Sequence, residues 1–149
     1  MRPRNVLKIF SHCRGFASNF HHQKIDDDDI EKGMRAYSND LLIDLSRELA
    51  DVFPSANELL YHFLDVEREL GKQKLYEILN GAGIKAEDIG KVIEFLLYYG
   101  VIGLKWSDGD QYIYHVNYDP RMLRIRAERA GETVRYVINP AFWLALKTH

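Results

Sequence analysis

The sequence predicts a mainly α-helical protein with a minor β component: a winged helix-turn-helix preceded by an N-terminal helical arm. Three observations carry that expectation. Apolar residues recur every three to four positions through the first third of the chain. Two short helical patterns, Lys74 to Leu79 and Ala86 to Tyr99, are separated by the turn Asn80-Gly81-Ala82-Gly83. A hairpin signal follows at once, because Val101 to Trp106 and Gln111 to Val116 flank Ser107-Asp108-Gly109-Asp110, with Asp-Gly between β-prone runs.

The first helix runs from about Pro3 to His21. Pro3 suits a first helical position, where its missing N–H costs nothing, and Val6, Leu7, Phe10, Cys13, Ala17 and Phe20 mark one face for burial. Lys24-Ile25 breaks the pattern. Asp26 then reads as an N-cap, with Asp29 in the capping-box position three residues on. The second helix extends from about Asp27 to Leu49, with Ile30, Met34, Tyr37, Leu41, Leu45, Leu49 and Val52 on its apolar face and acids on the other. Phe53-Pro54-Ser55 stops it, and Ser55 caps a short helix that buries Leu59, Leu60, Phe63 and Leu64.

In the next block Ile89, Val92, Ile93, Leu96 and Leu97 are the apolar face of the second helix of the helix-turn-helix, and Gly100 supplies the left-handed residue that closes it. After the wing, Asp119-Pro120 opens a further helix, Thr133 to Ile138 is a strand, and Asn139-Pro140 opens a last short helix that buries Phe142, Trp143 and Leu146. The expected division is a helical arm over residues 1–53 and a winged-helix domain over 54–149, with a helix-strand-helix extension packed on it.

Composition bounds the function. The 149 residues suffice for one domain and an arm, not two enzyme domains, and 46% apolar with 28% charged residues is ordinary globular composition. The longest uncharged apolar run, Phe95 to Leu104, is about half the ~20 residues a membrane span needs. No signal peptide is visible, and the single cysteine, Cys13, suits a reducing compartment, so a cytoplasmic protein with no membrane partner is expected. The net charge of −2 hides segregation: residues 1–25 carry +5, residues 26–70 carry −9, and the stretch from Asp119 onward carries +3.

Arg2-Pro3-Arg4 followed by an amphipathic helix, then Lys24-Ile25, a cap and Asp28-Asp29-Ile30, resembles the end of the lid subdomain in bacterial P-loop ATPases of the AAA-like and STAND-like kinds, where a C-terminal winged helix follows. The ending, from Asn117-Tyr118-Asp119-Pro120-Arg121 to Tyr136-Val137-Ile138-Asn139-Pro140-Ala141-Phe142-Trp143, is similar to the C-termini of the same group. The resemblance implies that Arg4 holds the position of the lid arginine that contacts the γ-phosphate and reports nucleotide state. It also implies that ATP and Mg belong to the parent protein and that the catalytic part lies upstream of Met1. This chain has no G-x-x-x-x-G-K-[ST] loop and no acidic metal-binding strand, so no cofactor and no enzymatic activity is expected in it.

Other motifs favour bland roles. Gly81-Ala82-Gly83-Ile84-Lys85-Ala86 fits the spacing of a dinucleotide fingerprint, but a helix precedes it where a strand is required. Asp26 to Asp29 suit a helix dipole better than a cation site. Adjacent His21-His22 point about 100° apart on a helix, His12, His62 and His115 lack partners at ligand spacing, and no metal site is expected.

The open question is what the winged helix contacts. Its second helix and wing carry Lys85, Lys91 and Lys105 against Glu87, Asp88, Glu94, Asp108 and Asp110, a net −2 that repels duplex DNA. The expected function is therefore a non-catalytic regulatory module of a larger P-loop ATPase, coupling nucleotide state to a protein partner or a second copy. The alternative is a DNA-binding winged helix that uses an arginine-rich helix after the wing. Lys91, Lys105, Trp106, Arg121 and Arg124 are the candidate contact residues for either partner.

Overall fold

A computed structural model describes residues 3–21, 23–56 and 58–147, with the side chains of residues 3–6 and 55 outside that description. Among the described residues six α-helices accompany a small antiparallel sheet. The helices are α1 (Pro3–Asn19), α2 (Asp27–Val52), α3 (Lys72–Gly81), α4 (Ile89–Tyr98), α5 (Pro120–Ala130) and α6 (Pro140–Leu146). The strands are β1 (Glu69–Gly71), β2 (Ile102–Trp106), β3 (Gly109–Gln111) and β4 (Arg135–Ile138), in the order β1-β4-β2-β3. The last strand in sequence thus lies in the middle of the sheet, with Leu104 opposite Tyr136 on one side and Leu70 opposite the same Tyr136 on the other.

The caps read from sequence are present. The Asp26 carboxylate accepts from the Asp29 N–H at 2.8 Å, and the Asp29 carboxylate accepts from the Asp26 N–H at 3.0 Å, so both ends of the capping box close. Asp119 and Asn139 cap α5 and α6 ahead of Pro120 and Pro140. Gly100 has φ +74° and ends α4. The Asn139 side chain caps Ala141 through its oxygen and donates its amide to the Gly100 carbonyl at 2.8 Å, tying the start of α6 to the end of α4.

Leu42, Leu45 and Leu49 from the second half of α2 join Leu59, Leu60, Phe63, Leu75, Leu79, Leu96, Ile102, Leu123, Ile138 and Leu146 in one core. Ser38, wholly buried, accepts from the Ala145 N–H at 3.0 Å and fastens α2 to α6. On the opposite side, α2 receives α1 at a close crossing, where a Cβ on Gly33 would lie 2.3 Å from Cys13 Sγ. Lys8 to Asp44 at 3.9 Å and His12 to Asp40 at 2.7 Å flank that crossing.

Several expectations are corrected. α1 ends at Asn19, and only part of its stripe is covered: Cys13 and Ala17 are buried against α2, but Leu7, Phe10 and Phe20 are exposed. In α2, Ile30, Met34 and Val52 are exposed, since α1 takes the face of Gly33 and Tyr37 and the core takes the face of Leu42, Leu45 and Leu49. The segment after Pro54 forms two 3-10 stretches (Pro54–Ala56, Leu59–Phe63) in place of one helix, and Leu64 is exposed. α3 is longer than expected and α4 begins at Ile89, after a turn at residues 86–88.

The β2–β3 hairpin is shorter than its sequence suggests. Trp106 pairs with Gly109, so Ser107-Asp108 alone make the turn, and Gly109 carries φ +123°. β3 stops at Gln111, and Ile113–Val116 is a 3-10 turn whose start is fixed by His115 Nδ1 accepting from the Tyr112 N–H at 3.0 Å. The chain leaves the strand there because Tyr112 folds over Gly103, at a spot where any side chain would meet its ring at 2.5 Å.

Candidate interaction surface

The sheet turns Ile102, Leu104, Tyr136 and Ile138 towards the helices and places Glu69, Lys105 and Arg135 on its outer side, one residue out of phase. There Glu69 accepts from Lys105 at 2.6 Å and from Arg135 at 3.0 Å. These two donors, Lys105 foremost, hold its carboxyl below the usual carboxylate range. Beside them Arg68 donates to the Ile138 carbonyl at 2.9 Å, and to Asp110 and the Tyr112 hydroxyl, both at 3.1 Å. Burial pushes the Tyr112 hydroxyl pKa up. The outer face of the sheet is therefore a latched surface on which three cations share two carboxylates.

On the other side, α4 and α5 border an open groove of about 370 Å³ with Ile93, Leu97, Ala127, Val134 and Tyr136 lining its apolar part. Burial pushes the Tyr136 pKa up to about 12, with Tyr76 adding to the shift. Lys91 and Arg124 stand at the groove with Glu87, Glu94 and Glu128 among them, so the rim carries both signs.

The candidate contact residues do not converge on one site. Lys105 is committed to Glu69 on the outer sheet face. Arg121 turns back on its own cap, Asp119, at 3.0 Å. Arg124 lies between Glu94 at 3.7 Å and Glu128 at 4.0 Å, so it meets a carboxylate of α4 as well as the one on its own helix. Lys91 is exposed on α4 and has no ion-pair partner among the described residues. Trp106 is 38% exposed, and the Arg126 guanidinium lies 5.6 Å from its ring centre while bonding to the Gln111 side chain. The Arg4 side chain and all of His22 lie outside the described residues.

Sequence reasoning missed Arg68 and Glu69, and it counted Arg126 only within the arginine-rich helix, with Arg121, Arg124 and Arg129, and not as a partner of Trp106. Arg126 carried a usable signal, since it stands one turn after Met122. The partners of Arg68 and Glu69 are cross-strand and have no local signature. Among the described residues no group of His, Cys, Asp and Glu could hold a metal ion, and no helix is long and apolar enough to cross a membrane. Cys13 is buried, which raises its thiol pKa, as fits a packing residue.

A family model described as the FunZ-associated C-terminal helical domain matches residues 1–46. The match covers α1 and most of α2, about a third of the chain. Searches of curated proteins and of solved structures give no match. The matched hairpin is thus similar to a domain that stands at the C-terminal end of larger proteins.

Proposed function

We propose that this chain is a non-catalytic interaction module: the C-terminal part of a larger P-loop ATPase, in which a winged helix carried on the α1–α2 hairpin couples nucleotide state to a protein partner or a second copy. The order α3, turn, α4, β2, β3, with β4 as an added central strand, supports the winged-helix reading. The observation that carries the reading is the pairing of Lys105, Arg121 and Arg124 with carboxylates of the same chain. Each surface pair is worth only about 0–1 kcal/mol, so a phosphate could displace it. The fixed carboxylate nevertheless stays beside the incoming phosphate, and the cation offers a dipole in place of a net charge.

The match to a C-terminal helical domain supports a place in a longer protein, and the ATPase link rests on the sequence resemblance. In that reading the exposed flank of α1, with Leu7 at 70% exposure and Phe10 beside it one turn on, is covered by the rest of the lid, and Arg4 on the same helix senses nucleotide. ATP and Mg are bound by the parent, with none held here. The test is the authentic reading frame: an upstream phosphate loop and nucleotide-dependent protection of α1 amides are expected. A natural start at Met1 with no such loop overturns the proposal.

The alternative is a DNA-binding winged helix acting through Arg121 and Arg124. It predicts duplex affinity that falls steeply with salt and drops in R121A and R124A. Absence of binding at low salt removes it.

A further inference from the structure

We propose that the outer side of α5, together with Trp106 at the wing, docks an acidic amphipathic segment of a partner protein. The proposal rests on the interaction-module reading and adds to it a place and a partner chemistry.

The surface follows from helical spacing. Met122, Ile125, Arg126 and Arg129 fall at i, i+3, i+4 and i+7 on α5 and share one side, while Leu123, Ala127 and Ala130 face the core. Met122 is 44% and Ile125 42% exposed, large values for side chains of this kind on neighbouring turns. Arg126 joins them to the wing, because its guanidinium lies over the Trp106 ring and is fixed there by Gln111. A cation held in place by two neighbours loses little freedom when it meets a partner.

Charge selects the occupant. Arg121, Arg124 and Arg135 all have carboxylate partners, whereas Arg126 and Arg129 have none among the described residues. The surface therefore offers three exposed apolar groups and two uncompensated positive charges, which an acidic helix with apolar anchors at the same spacing complements. Nucleic acid fits less well. Met122 and Ile125 give phosphate nothing, one face of Trp106 is already occupied by Arg126, and Asp108 at the wing turn repels a polyanion.

The test titrates the protein with a synthetic peptide of about four helical turns, with Leu and Phe on one side and Glu on the other, and follows tryptophan fluorescence. The same peptide with Lys for Glu, and an oligothymidylate, run in parallel. Binding of the acidic peptide alone is expected, with the signal lost in Trp106→Phe and affinity down about tenfold in Ile125→Ser and in Arg129→Glu, both solvent-facing changes whose folding is checked by circular dichroism. Equal binding of the Lys peptide, preference for oligothymidylate, indifference to both variants, or self-association abolished by Ile125→Ser each overturns the proposal. A protein that ignores the acidic peptide but whose parent still shows nucleotide-dependent protection of α1 loses only this surface, not the module reading.

Discussion

Gly33→Ala probes the crossing on which the α1–α2 hairpin depends. The added Cβ would lie 2.3 Å from Cys13 Sγ, 2.8 Å from its backbone nitrogen and 3.0 Å from its Cα. Carbon contacts settle at about 3.5–4.0 Å, so the thiol could rotate away but the backbone atoms could not, and α1 must retreat by roughly 1 Å. Overpacking of this sort costs about 1–3 kcal/mol, and the better helix propensity of alanine returns up to about 1 kcal/mol. The expected net is a loss of about 1–2 kcal/mol, concentrated in α1, because α2 keeps its attachment to α6 through Ser38 and to the core through Leu42, Leu45 and Leu49. Amide hydrogen exchange should show faster exchange across α1 with β2 and β4 unchanged, and Cys13→Ala should restore only part of the protection. Unchanged α1 protection in Gly33→Ala would refute the idea that backbone proximity, more than side-chain fit, sets this crossing.

Three other changes test separate parts of the fold. Gly103→Ala places a Cβ 2.4 Å from the Gln111 carbonyl and 2.5 Å from the Tyr112 ring, so denaturant unfolding should register a loss of about 1–3 kcal/mol and an opened Arg68–Tyr112 latch. Asn139→Ala removes the α6 cap and the bond to Gly100 together, and thermal melts should show a loss of about 1–2 kcal/mol, whereas Asn139→Asp keeps the cap and loses the amide donor. Tyr136 prefers its neutral form in the fold, so its contribution is intact below the unfolded value of 10.0 and is lost as pH rises through about 12. Tyrosinate absorbance should accordingly lose a late-titrating phenol in Tyr136→Phe.

The parts of the fold that were legible in the sequence are those governed by local chemistry. Asp26 with Asp29, Pro120 behind Asp119, Pro140 behind Asn139 and the positive φ of Gly100 each depend on neighbours a few residues away. Burial was less legible. Periodicity tells which side of α1 is apolar, but not how much of it α2 covers among the described residues, so Leu7 and Phe10 belong to a face that is open. β1 escaped notice because three residues, Glu69 to Gly71, are too few to show alternation and owe their extended form to pairing with β4. The continuation of β3 past Gln111 was the reverse error, since β-prone residues there are diverted by Tyr112 packing on Gly103. At the candidate surface, the arginines could be counted from sequence. The i, i+4 pairing of Arg124 with Glu128 could be read there too, but not the approach of Glu94 to Arg124 from another helix.

The central place of β4 governs the order in which this protein can be made. During synthesis residues 69–71, β2 and β3 leave the ribosome well before residues 135–138, and until then β2 has an unfilled backbone edge and residues 69–71 lack the strand they pair with. Helices and the β2–β3 ribbon can form early, yet the sheet cannot close until the C-terminal strand is threaded between its neighbours. A chain stopped between Gln111 and Arg135 thus has an open edge on β2 and a core without Tyr136, Ile138, Phe142 and Leu146, which makes it a natural substrate for chaperones and proteases.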